Sequence, residues 1–194
     1  MTKTVTALFF IFGTLCLLYS SLLTWERTNP KRLSFAASPP QTNISTHEYP
    51  VRVTIPSIDA DLPIIQSEIE NNVWQTTSKG VSYLKSTPLP GEIGNSILYG
   101  HNWSNLLGKL SEVKPGNIIT IEFNTGRTAE FIVSGTGTVS PNDIHVLYPS
   151  KDARITLYSC TGFLDSKRFV VTALARNLSS SVDGLEQGGA SHEK

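Results

Sequence analysis

The hydrophobic and polar positions divide the chain into segments of different character. The first segment, 4–24 (TVTALFFIFGTLCLLYSSLLT), has 21 residues and no charge. About 20 apolar residues span a bilayer, whereas the apolar part of a cleaved signal peptide has only about 7–15. The run therefore predicts a transmembrane signal anchor over 4–24, after a short cytoplasmic N-terminus, 1–3. The small residues Ala36 and Ala37 leave cleavage as the alternative.

Two polar segments flank the part of the chain that can fold. Residues 25–50 include four prolines between positions 29 and 50, with Ser, Thr, Asn and Gln among them. This composition is typical of a stiff, partly extended tether that buries little. Residues 179–194 are small, polar and glycine-bearing, which indicates a disordered tail. The remaining residues, 51–178, are expected to form one domain.

Within 51–178, short runs of β-branched and aromatic residues alternate with turn residues. Such spacing predicts a mainly β fold, either a closed barrel or a sandwich. A single helix-like stretch is expected, over 105–113. The predicted strands are Val51–Ile58, Leu62–Gln66, Ser96–His101, Asn117–Phe123, Thr128–Val139, Arg154–Cys160 and Arg168–Arg176.

Charge and cysteine content narrow the class of protein. The chain has 16 basic and 16 acidic side chains, which argues against a nucleic-acid reader built on a basic surface. Its two cysteines are Cys16, in the apolar run, and Cys160, in the folded part. We expect them not to pair, which leaves one free thiol in the domain.

Three residue types that could act together occur at strand ends. Cys160 ends a predicted strand, and its alternative role is that of a buried structural thiol. His101 ends another strand, and a nucleophilic thiolate needs such a base or cationic partner. A seven-residue connection separates Cys160 from Arg168, so the two strands are predicted to be antiparallel neighbours with Arg168 beside the thiol. A guanidinium can supply donors to a developing oxyanion. No further Cys or His has the spacing of a metal site.

These features together resemble the sortase family of membrane-anchored cysteine transpeptidases. The resemblance runs in order through most of the folded part. It rests on Val53–Ile58 with Leu62–Ile64 as opening strands, Gly94–His101 as the histidine strand, Thr156–Cys160 (TLYSC) as the family's TLxTC motif and Arg168–Val171 as the arginine strand.

The resemblance implies a closed eight-stranded sortase-type β-barrel with one or two short helices. It assigns the nucleophile to Cys160, the general acid and base to His101, and oxyanion stabilisation or substrate positioning to Arg168. Ser159 stands where the family usually has Thr, which implies a substrate-positioning role with the methyl group lost. The short connection after the cysteine resembles class D-like or other accessory members. No cofactor is implied, and the calcium sites of some members have no matching ligand set here.

The implied reaction is cleavage of a C-terminal LPxTG-like sorting signal of surface proteins or pilins. The acyl group would pass through a Cys160 thioester to an amine of a cell-wall precursor or a pilin lysine. The family also implies a single-pass membrane protein with its catalytic domain extracellular. The charge count alone, Lys3 and the amino terminus against Arg27, Lys31 and Arg32, slightly favours the opposite orientation. The alternatives are another Cys–His peptidase or acyl transferase, and a membrane-tethered non-catalytic β-domain for envelope assembly.

Overall fold

The uncharged N-terminal run forms one long helix, α1 (Thr2–Arg27). In the computed structural model, which describes residues 2–27, 30–40, 47–71 and 73–176, the part Val5–Trp25 is long and apolar enough to cross a membrane, with a mean hydropathy of 2.0. The hydroxyls of Thr14, Ser21 and Thr24 donate to carbonyls of their own helix. These polar side chains are therefore satisfied inside the helix, as a hydrocarbon environment requires. The predicted tail 179–194 lies outside the described residues.

Ten strands follow in the described part of the chain, and eight of them close into a barrel. The barrel order is β1-β2-β5-β6-β9-β10-β8-β7, and β3 and β4 form a separate two-stranded sheet. This arrangement confirms the predicted mainly β, closed eight-stranded fold. The strand bounds are β1 (Pro50–Ile55), β2 (Ala60–Ser67), β3 (Ile69–Glu70), β4 (Val73–Trp74), β5 (Val81–Leu84), β6 (Gly94–Gly100), β7 (Ile118–Phe123), β8 (Thr128–Val139), β9 (Ala153–Thr161) and β10 (Lys167–Ala175).

The helix-like stretch predicted over 105–113 is mostly a series of turns. Only Leu110–Glu112 forms a short 3₁₀ helix there. Before it, the N–H of Gly108 donates to the Trp103 carbonyl at 2.9 Å, and a Cβ at position 108 would lie 2.7 Å from that oxygen. The chain therefore folds back tightly on Trp103 instead of continuing as a helix. Further 3₁₀ helices are Pro30–Leu33, Pro56–Ile58, Ile144–Leu147 and Phe163–Asp165.

The barrel wall separates two apolar clusters because successive strand residues point to opposite faces. On β9, Ile155 and Leu157 belong to the cluster inside the barrel. Tyr158 and Cys160 belong to a second cluster, on the outer side of β6, β9 and β10. The candidate nucleophile, Cys160, therefore lies on the outer face of the barrel.

Part of the Pro-rich segment covers the outer cluster. Leu33 is completely buried and Phe35 is 5% exposed, which differs from the expectation that this segment buries little. The Phe35 ring meets Tyr158 edge-to-face at 4.9 Å between centroids and lies 6.2 Å from Trp74. Burial of the apolar surfaces of Leu33 and Phe35 stabilises the docking of this segment on the barrel, although most of the segment is polar. The boundary at residue 51 stays a prediction.

Replacing Gly80 by alanine is expected to destabilise the barrel by about 1–3 kcal/mol, the usual cost of overpacking. A Cβ at Gly80 would lie 2.1 Å from the backbone oxygen of Pro63, where β2 runs parallel to β5. Urea denaturation of the two proteins measures the change. Gly137→Ala is the matched control, because a Cβ there meets no atom within 4 Å. Equal stabilities of the two variants would contradict this prediction.

Candidate active site

Strand register aligns the three candidate residues across neighbouring strands. β10 runs antiparallel to β9 with Arg168 opposite Cys160, which confirms the predicted neighbourhood of these two residues. β6 runs parallel to β9 on its other side, with Gly100 opposite Ser159. His101 follows directly after Gly100 and so leaves the sheet at the level of Cys160. The barrel thus places His101, Cys160 and Arg168 in one row across three strand ends.

The thiol of Cys160 is buried and hydrogen-bonded in this structure. Its side chain is 5% exposed, and Sγ donates to the backbone oxygen of Arg32 at 3.1 Å. Burial raises the pKa of Cys160 to about 11, because a thiolate is poorly solvated there, while the charges of Arg168 and Arg32 lower it and that of Asp165 raises it. The thiol is therefore neutral at pH 7 while residues 32–35 cover it.

The imidazole of His101 is also held neutral. It is 8% exposed and stacks on the Trp103 ring at 4.4 Å between centroids, with 10° between the planes. Burial lowers its pKa, and the negative charge of Asp165 opposes that change. The covered site thus contains a neutral thiol and a neutral base, and catalysis would require a proton to move between them.

The Arg168 guanidinium is buried, and one of its donors is unused. Its Nη1 donates to the backbone oxygens of Asp165 and Lys167, both at 3.0 Å. Its Nη2 donates to the backbone oxygen of Ser34 at 2.9 Å. Nε is buried and has no acceptor among the described residues. A buried, unused N–H on the strand next to the thiol is suited to receive a negatively charged oxygen.

Ser159 lies on the other side of the strand. Its partner across the ladder is Phe169, which packs against the cluster inside the barrel, and Ser159 itself is buried. Because Cys160 faces outward, the alternation of β9 directs Ser159 inward. Its substrate-positioning role stays a prediction, and any effect would act through the backbone of the strand that carries Cys160.

Two contributors to the site were not identified from the sequence. One is the segment 32–35, whose alternating apolar residues Leu33 and Phe35 were a usable signal within polar surroundings. The other is Asp165, for which no motif offered a signal. The cysteines are free as expected, Cys16 exposed and Cys160 buried. Within the part of the chain that the structure describes, no group of three or more His, Cys, Asp or Glu side chains is placed to hold a metal ion.

Comparisons with known proteins bear on this site as a whole. The family model of the sortase domain matches residues 53–176, which is more than half of the chain. Sortase A of Bacillus anthracis is 32% identical over 124 residues, covering 62% of this chain and 56% of that protein. Sortase A of Listeria monocytogenes serovar 1/2a is 30% identical over 122 residues, covering 61% of this chain and 52% of that protein.

A solved structure agrees with these relatives. A lid mutant of sortase A from Corynebacterium diphtheriae has a TM-score of 0.58 at 28% identity, over 70% of this chain and 74% of that one. The chain spans about half the length of the two curated relatives. The match nevertheless includes all three candidate residues and every strand of the barrel except the first residues of β1. The chain belongs to the sortase family.

Proposed function

We propose that this protein is a cysteine transpeptidase that cleaves a C-terminal LPxTG-like sorting signal and transfers the acyl group to an amine. The observation that carries the proposal is the row of His101, Cys160 and Arg168 across β6, β9 and β10. A nucleophile, a proton carrier and an oxyanion donor are the groups that acyl transfer requires. Family membership supports the same chemistry, because sortases are cysteine transpeptidases.

In the first half of the reaction, a proton moves from Cys160 to His101 and the thiolate attacks the carbonyl carbon of the substrate threonine. The carbon–sulfur bond forms, and the oxygen becomes an anion that the unused Nε–H of Arg168 can stabilise. The carbon–nitrogen bond then breaks as the imidazolium of His101 protonates the leaving amine. The products of this half are a thioester on Cys160 and a neutral imidazole.

In the second half, an amine attacks the thioester. His101 removes a proton from the attacking nitrogen, the carbon–sulfur bond breaks, and the new amide is released. The thiolate of Cys160 is regenerated beside the imidazolium. Candidate acceptors are the amine of a cell-wall precursor and a lysine of a pilin, and the candidate donors are surface proteins or pilins with a sorting signal.

The helix α1 is proposed to be a retained anchor that leaves the barrel outside the cell. Its length and apolarity support a membrane span. An anchored enzyme and an anchored substrate share one surface, which raises their effective concentration without any new contact. The anchor thus contributes to the rate on membrane-bound substrates and not to the chemistry at Cys160.

The test is to trap the thioester. The full chain in detergent is incubated with an LPxTG-type peptide without an amine acceptor, and intact-mass spectrometry is expected to detect the acyl group on Cys160. Adding an excess of an amine should convert the adduct into amide product. Cys160→Ala should abolish the adduct, while Cys16→Ser, which removes the other thiol, should leave it intact. An adduct that persists in Cys160→Ala, or its absence across a broad peptide panel, would overturn the proposal.

A further inference from the structure

Asp165 contacts three separate parts of the site. Its Oδ2 pairs with Nη1 of Arg32 at 3.2 Å, and the Asp165 side chain is 15% exposed. Its Oδ1 accepts from Nδ2 of Asn102 at 3.3 Å, and Asn102 directly follows His101 in the chain. Its backbone oxygen accepts from Arg168 at 3.0 Å. One residue therefore connects the covering segment, the histidine loop and the arginine strand.

The backbone around Asp165 is held in an uncommon conformation. Leu164 and Asp165 have φ angles of 51° and 59°, in the left-handed region that non-glycine residues seldom adopt. Such conformations persist only where the surrounding contacts hold them. Here the Arg168 guanidinium fixes the Asp165 carbonyl, and Asn102 and Arg32 hold its two carboxylate oxygens. The short connection between β9 and β10 is thus arranged so that this carboxylate lies within the site.

We propose that Asp165 is a positioning residue of the active site, whose carboxylate is paired with Arg32 while residues 32–35 cover Cys160 and acts more strongly on His101 once they leave. The proposal deepens the function proposed above and rests on it only for the role of His101 as acid and base. Arg32 is the physical link, because its backbone oxygen accepts from Cys160 and its side chain pairs with Asp165.

The charges around the site explain how this coupling works. The charges of Asp165, Arg32 and Arg168 act on the thiol, and that of Asp165 also acts on the imidazole. In the covered state, the Asp165 carboxylate is paired with Arg32. Departure of residues 32–35 removes that partner and admits water, and both changes favour the imidazolium form of His101. The Trp103 ring stacked against His101 favours the same form, because a cation is attracted to an aromatic face.

The experiment measures the titration of His101 directly. The full chain carrying Cys16→Ser is labelled at histidine, kept in detergent micelles and titrated by NMR, with the His101 signal assigned from His101→Gln. Asp165→Asn is expected to shift the His101 midpoint to lower pH, because a negative charge is lost. Arg32→Gln is expected to shift it to higher pH, because a positive charge is lost and Asp165 is no longer paired with Arg32.

The double variant and a matched control separate charge from structure. In the Asp165→Asn background, Arg32→Gln should raise the midpoint by less than it does beside the native Asp165, since only the direct effect of losing the Arg32 charge remains. Asp59→Asn is the control, because Asp59 also has a positive φ of 55° but lies in the turn between β1 and β2. It should leave the His101 midpoint unchanged.

An unchanged midpoint in Asp165→Asn, or an equal effect of Arg32→Gln in both backgrounds, would overturn the proposal. If Asp165→Asn disturbs the loop, Arg32→Gln still tests the proposal, because that variant keeps Asp165 and an unchanged midpoint in it would also overturn the proposal. No sorting-signal peptide is used in this titration. Failure of the proposed function would therefore appear in the thioester experiment, and failure of the role of Asp165 would appear here.

Discussion

Replacing Arg168 by lysine is expected to lower kcat/KM for an LPxTG-type peptide by about 10²–10³-fold, the usual cost of losing one oxyanion donor. The guanidinium makes three hydrogen bonds to backbone oxygens and keeps a buried, unused Nε–H. A lysine ammonium retains the positive charge but cannot reproduce this geometry, because its donors radiate from a single nitrogen. Steady-state kinetics with a fluorogenic peptide measures the loss.

Arg176→Lys is the matched control for this substitution. Arg176 directly follows β10, the strand that contains Arg168, but it is exposed and pairs with Glu130 at 3.2 Å, away from the thiol. Its replacement should leave kcat/KM within about twofold, because exposed ion pairs contribute little. The oxyanion role would be contradicted if Arg168→Lys retained full kcat/KM, or if both variants lost activity equally.

Replacing Leu33 and Phe35 together by alanine is expected to accelerate alkylation of Cys160 by iodoacetamide at pH 7 by about 10–100-fold. The two truncations remove several kcal/mol of apolar burial and should release residues 32–35 from the barrel. Burial is the largest cause of the raised pKa of Cys160, about 11 against an ordinary 9.0. Lowering that pKa towards 9.0 raises the thiolate fraction at pH 7 by up to about 100-fold, and the weaker nucleophile offsets part of the gain.

The size of this acceleration depends on pH. Below both pKa values, each unit of decrease in the thiol pKa raises the thiolate fraction about tenfold, so the variant gains most at neutral and acidic pH. Above pH 11 the native thiol is itself ionised, and the gain should shrink to the effect of access alone. Mass spectrometry of the Cys16→Ser protein follows the reaction, with Ile93→Ala, which truncates an exposed residue, as the control. Equal alkylation rates in the three proteins would contradict the covering role of residues 32–35.

Local sequence was enough to predict the neighbourhood of Cys160 and Arg168. A connection of seven residues between two β-branched runs is too short for a parallel crossover, so the two strands are expected to pair antiparallel. The register places Arg168 opposite Cys160. The position of His101 beside Cys160 was harder to predict from the sequence. It depends on the parallel pairing of β6 with β9, which joins segments separated by some fifty residues, and only the family resemblance linked them.

The covering segment and Asp165 were missed for physical reasons that differ. Segment 29–50 was interpreted from its average composition, which is polar although the segment contains Leu33 and Phe35, two large apolar side chains two positions apart. Leu33 and Phe35 find partners only in Trp74, Tyr158 and their neighbours, which are remote in the chain. Asp165 owes its place to left-handed backbone at Leu164 and at itself, a conformation that no residue pattern in this connection indicates.

The attachment of residues 32–35 to the barrel also limits the distance between the barrel and the end of α1. Four residues lie between the end of α1 at Arg27 and Arg32, and the five Cα–Cα steps that join Arg27 to Arg32 extend to at most about 17 Å. With α1 in a bilayer, the docked segment therefore holds Cys160 close to the lipid surface. Once the segment is released, the 23 Cα–Cα steps from Arg27 to Pro50 can extend to about 80 Å. Release of the segment would thus increase several-fold the distance that the barrel can move from α1, and the acceptors proposed above could then lie farther from the membrane.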